Sequence, residues 1–127
     1  MLTVGVIALG VGDVPRAAQF WQAALGYDVR TDGFGGWSTV LVPPAGGSGA
    51  KIALQSSQTP AEDHPRIHLD LHVADVAEQE AEAARLVALG AERVDWDSYP
   101  ADPDFVVLAD PDGNRFCIVD LSHDPAC

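Results

Sequence analysis

The chain has 127 residues, 47% of them apolar, and sets 7 Lys and Arg against 19 Asp and Glu for a formal net charge of -12. That length suits one compact domain with its own core, and the acidic balance repels phosphate backbones and anionic lipid surfaces, which excludes nucleic acid as a partner. The first apolar run has no basic segment before it and is soon broken by Asp13 and Pro15, unlike a signal peptide, and no stretch reaches the roughly twenty apolar residues that span a bilayer, so a cytoplasmic protein is expected.

In chain order, "TVGVIALGV" alternates as a strand, and "DVPRAAQFWQAALG" follows as a helix with Asp13 as N-cap, Pro15 in the first turn and Gly26 at the C-terminal end. Phe20 and Trp21 sit among apolar residues suited to packing on a sheet. Strands are predicted over about 27–31, 36–42 and 50–56, with "PPAGGSG" as the loop before the last. The polar, proline-bounded segment "SQTPAEDHP" then reads as a linker.

The second half repeats this order. "RIHLDLHVA" is a strand, "DVAEQEAEAARLVALG" a helix whose acidic run is a solvated face, and strands follow near 91–96, 104–109 and 114–121. "VGDV" at 11–14 recurs as "VADV" at 73–76, "ALG" at 24–26 recurs at 88–90, and "KIALQ" at 51–55 has its counterpart in "RFCIV" at 115–119. "DPDG" at 110–113 has the proline and glycine spacing of a turn. Two modules, 2–57 and 66–122, therefore form a single domain over 1–127, because neither can bury both faces of its sheet alone.

The paired modules, the V-x-D-V motif after each first strand, "ALG" closing each helix and "DPDGNRFCIVD" near the end resemble the vicinal oxygen chelate superfamily. That group takes in glyoxalase I, extradiol dioxygenases, fosfomycin-resistance enzymes and bleomycin-binding proteins. "HLDLHVADV" and "DPDGNRFC" are most similar to its glyoxalase-like branch, and the resemblance covers almost the whole chain. It implies an α+β fold of two βαβββ modules whose mixed sheets curl into a cup. The first strands are then expected to meet, with Val6 near His68, either within one chain or by exchange of modules between chains, and a homodimer is expected.

In metal-using members the ligands come from the first and last strand of each module. Here those positions fall on Val6, Ala53, His68 and Cys117, so His68 is the one ordinary ligand retained, with Cys117 an atypical second. The resemblance therefore implies no cofactor, without excluding a divalent metal, and it does not carry glyoxalase I activity onto this chain.

Strand alternation sends His68, Asp70 and His72 to one side, and Lys51, Ala53, Gln55, Arg115, Cys117 and Val119 to the same cup by parity. His68 reads either as a pocket imidazole or as a structural, hydrogen-bonded one. Asp70 and Arg115 read equally as a buried pair or as ligand contacts. Cys117, between Phe116 and Ile118, reads as a packed side chain rather than a nucleophile, and with Cys127 makes two free thiols too oddly placed for a disulfide framework. Trp37, after "DGFGG", and Trp96 with Tyr99 are candidates for an aromatic rim, with ordinary strand packing as the alternative.

Three functions remain open. One is a metal-independent binder of a small, partly hydrophobic molecule, contacted by Val6, Trp37, Gln55, His68, Asp70, Arg115 and Cys117. The second is a lyase or isomerase with His68 as general base and Asp70 orienting it. The third is a metal-dependent enzyme of the glyoxalase or dioxygenase type.

Overall fold

A computed structural model describes residues 1–123 of the chain; Cys127 lies outside the described residues. The chain divides into two compact units, Met1–Pro60 and a second beginning at Ala61, and each carries one four-stranded mixed sheet and one long helix.

In the first unit, β1 (Val6–Val11) leads into α1 (Val14–Leu25), followed by β2 (Asp28–Arg30), the short 3-10 turn Phe34–Gly36, β3 (Val40–Val42) and β4 (Lys51–Ser56). The expected caps form: the Asp13 carboxylate accepts the Arg16 backbone N–H at 3.1 Å, and Gly26 closes the helix at φ 69°. β1 pairs in parallel with β4, which pairs antiparallel with β3, and β3 with β2. Phe20 and Trp21 are both core, edge to face at 5.1 Å, buried along with Leu41, Ile52 and Leu54.

The strand expected over 36–42 starts only at Val40. Gly33, Gly35 and Gly36 take φ of 81°, 63° and 85°, a region that bends the chain into a turn and that a β-strand cannot include.

In the second unit, β5 (Asp70–Val73) leads into α2 (Val76–Ala88), then β6 (Glu92–Arg93), β7 (Phe105–Ala109) and β8 (Arg115–Asp120). The sheet order β5–β8–β7–β6 repeats that of the first unit. α2 opens with a reciprocal cap: Asp75 accepts the Glu78 N–H at 2.8 Å and Glu78 accepts the Ala74 N–H at 2.8 Å. The "DPDG" turn forms around Asp110, whose Oδ1 accepts the N–H groups of Asp112 and Asn114. Gln79 is the polar residue that α2 buries, and its Nε2 donates to the carbonyls of Ile118 (2.9 Å) and Asp104 (3.1 Å), fastening helix to sheet.

Two strands are shorter than expected here. The ladder of β5 begins with the Leu69 carbonyl, which accepts the Cys117 N–H at 2.9 Å, so His68 precedes the strand instead of lying within it. β6 ends after Arg93 because the Trp96 N–H turns back to the Val94 carbonyl at 2.9 Å, a tight three-residue bend that takes Trp96 off the sheet edge.

Candidate functional site

The register of the second sheet builds the site. Asp70 on β5, Cys117 on β8 and Val107 on β7 are opposite one another in adjacent strands, and Val119 faces Phe105 one step along. Side chains in one such row share a face, so three strands supply one wall. Trp96, bent inward after β6, Pro65 from the segment before β5, and Asp104 and Ser98 complete the lining of a cavity of about 430 Å³ that also takes in His68 and Arg115. Every lining residue belongs to the second unit.

Of the residues expected at a ligand, His68, Asp70, Arg115 and Cys117 come together at this cavity. Val6 at the start of β1 and Trp37 after the 3-10 turn are half-buried, and Gln55 on β4 is exposed; these three belong to the first unit. His72 is exposed and is not among the lining residues. Tyr99 also stays out of the lining: its hydroxyl accepts the Val107 N–H at 2.8 Å, and its ring packs 5.3 Å from Phe105, so it props β7 from outside.

The ion pairs differ from the expected ones. Arg115 does not pair with Asp70; its Nη1 donates to the Asp63 carbonyl at 2.8 Å and its Nη2 lies 3.3 Å from Asp63 Oδ1, which ties the linker to the start of β8. Asp70 is taken by His68, with Nδ1 2.9 Å from Oδ1. That bond fixes the plane of the imidazole and leaves Nε2 for another partner. Beside them, His64 packs on Trp96 at 4.9 Å and meets Asp97 Oδ1 at 2.8 Å.

Cys117 is 8% exposed, at the floor of the cavity. Burial, then the Asp70 charge and its hydrogen bond with the thiol, and the Asp104 charge push the thiol up to about 11. It is held as S–H near neutral pH, the inert state of a buried cysteine, in agreement with a packing role and against a nucleophile.

The same residues decide how well a metal fits. Of the four positions at which the resemblance places metal ligands, Val6 and Ala53 carry no donor atom. His68, Asp70 and Cys117 place one donor atom each within 4.8 Å of one another. One imidazole, one carboxylate and one thiol, all from the second unit, do not match the His and Glu set that the resemblance places on the first and last strands of both modules.

The sequence profile of the glyoxalase-like domain matches residues 6–119. The chain belongs to the glyoxalase-like domain family. No curated protein matches the sequence. Among solved structures, a glyoxalase-related enzyme from Fulvimarina pelagi is 21% identical, with a TM-score of 0.68 over 96% of this chain and 90% of that one. The fosfomycin resistance protein FosX from Listeria monocytogenes is 16% identical, with a TM-score of 0.69 over 94% and 91%. TnmS3, an antibiotic binding protein from Streptomyces sp. CB03234, is 22% identical, with a TM-score of 0.62 over 94% and 96%. These likenesses establish the shared vicinal oxygen chelate fold of this glyoxalase-like protein, and no helix among its described residues is long and apolar enough to cross a membrane.

Proposed function

We propose that this glyoxalase-like protein binds a small, partly hydrophobic molecule in the cavity of its second unit, without a metal. The observation that carries this reading is the cavity itself: about 430 Å³, within the size range of small-molecule sites, with aromatic and aliphatic walls and a few convergent polar groups in His68, Asp70, Asp104 and Arg115. Antibiotic binding by TnmS3, a protein of the same fold, is consistent with that use of the architecture.

A thermal-shift screen of chelator-treated protein against metabolites and antibiotics tests it. A ligand at a hundredfold excess over its Kd adds about 2.7 kcal/mol to the native state, a readable rise in Tm. Val119 is half-buried and lines the cavity, so Val119→Trp fills the space from its wall. Compounds that stabilise the wild type and fail to stabilise Val119→Trp support the reading; compounds that stabilise both equally overturn it.

A second reading, a lyase or isomerase, is favoured by one distance, the 2.9 Å between His68 Nδ1 and Asp70 Oδ1. A carboxylate on one ring nitrogen orients the imidazole and strengthens the other nitrogen as a general base, and both residues line the cavity. Turnover of a bound compound that disappears in His68→Gln while binding persists distinguishes catalysis from binding alone.

A further inference from the structure

Resting on the cavity as the binding site, we infer that its ligand is an organic cation, an amine or guanidinium group carried on an apolar or aromatic body. Two carboxylates line the cavity, Asp70 from β5 and Asp104 from the residue before β7. Arg115 is the one Arg or Lys in the lining, and both of its terminal nitrogens are engaged by Asp63, which is not itself a lining residue. Asp63 therefore offsets the guanidinium, and no Arg or Lys of the lining is left to balance Asp70 and Asp104. Asp97, bonded to His64 beside Trp96, adds a further carboxylate near that wall.

The apolar part of the lining agrees with this charge. Trp96 and Phe105 present aromatic surface to the same space, and a ring face attracts a cation while it accommodates a hydrophobic body. Trp96 already has a cation near it, with Arg115 Cζ 5.9 Å from the ring centroid. An anionic ligand would instead face two carboxylates with only a committed arginine to receive it, at a repulsive cost in a partly desolvated site. The formal charge of -12 acts in the same direction at long range, raising the local concentration of cations and lowering that of anions.

Three probes of matched shape separate charge from shape: phenethylamine, phenethyl alcohol and phenylacetate. Each is titrated into labelled protein while the indole N–H of Trp96, assigned with Trp96→Phe, is followed by NMR. The amine is expected to bind about tenfold more tightly than the alcohol, phenylacetate more weakly than either, and the amine's advantage to shrink with added salt. Asp104→Asn is expected to remove most of that advantage by weakening the amine more than the alcohol, and Asp70→Asn to reduce it as well. If amine and alcohol bind equally at Trp96, or phenylacetate binds best, the cavity stands as a binding site and the cationic ligand is overturned. If none of the three moves the Trp96 signal, the binding site falls and the inference falls with it.

Discussion

His68 and Asp70 form a bonded pair, Nδ1 to Oδ1 at 2.9 Å, on the wall of a cavity, with close to half of each side chain open to solvent. An exposed pair of this kind contributes little to stability, on the order of 0.2–1 kcal/mol. Its consequence lies in ligand contact.

His68→Gln is therefore expected to leave Tm nearly unchanged while weakening the cavity ligand, because the amide keeps one hydrogen bond to Asp70 but loses the second ring nitrogen that faces the cavity. Calorimetric titration of both proteins with the same ligand checks this. A variant that loses several kcal/mol of stability but keeps the wild-type affinity would show the histidine to be structural.

Cys117 yields a second expectation. With its thiol pushed up to about 11 from an ordinary 9.0, only about one molecule in a thousand is thiolate at pH 8, and the thiolate is the reactive form. In a Cys127→Ser background, iodoacetamide should label native Cys117 far more slowly than the urea-unfolded chain. The raised value also sets a sign for stability. The native state disfavours the thiolate, so this contribution is fully present below about pH 9 and is lost as pH rises through 11. Cys117→Ala should show a shallower alkaline loss of Tm; equal slopes in both proteins would contradict the assignment.

Gln79 predicts a purely structural effect with a functional echo. Gln79→Leu removes the two side-chain hydrogen bonds from α2 to the carbonyls of Asp104 and Ile118, at a cost of about 1–3 kcal/mol in urea unfolding. Because Asp104 is on the cavity wall, ligand affinity should fall as well. A variant as stable as the wild type would mean that the two bonds do not hold α2 to the sheet.

Much of this site was legible in the sequence. Alternation along "IHLDLH" and "RFCIV" was enough to group His68, Asp70, Arg115, Cys117 and Val119, because side chains two apart on a strand share a face and the two strands are neighbours in the fold. What alternation could not give was the position of anything outside the ladder. Asp63, not Asp70, holds Arg115, and it lies in the linker, whose path no periodicity encodes. Trp96 reaches the cavity through a turn at Val94 that has no glycine or proline to announce it. Phe105 and Asp104 went unnoticed, although the antiparallel register setting Phe105 opposite Val119 would have found the aromatic ring once β7 and β8 were paired. In the first unit, the positive φ values of the three glycines of "DGFGG" cost β3 its first half.

Metal analysis of protein purified without chelator tests the reading of the donor set. Val6 and Ala53 carry no donor atom at two of the four positions where the resemblance places ligands. Substoichiometric Mn, Fe, Ni and Zn are expected. One equivalent of a single metal, lost in His68→Ala, would contradict the metal-free account.

The central claim is that the cavity wall of the second unit holds the ligand, and the most direct measurement is a map of NMR shift changes on binding the strongest compound from the thermal-shift screen. The account predicts the largest changes at the Trp96 indole and at the amides of Phe105, Cys117 and Val119, with the map emptied by Val119→Trp. Changes confined to residues 1–60, or a map that survives Val119→Trp, would contradict it.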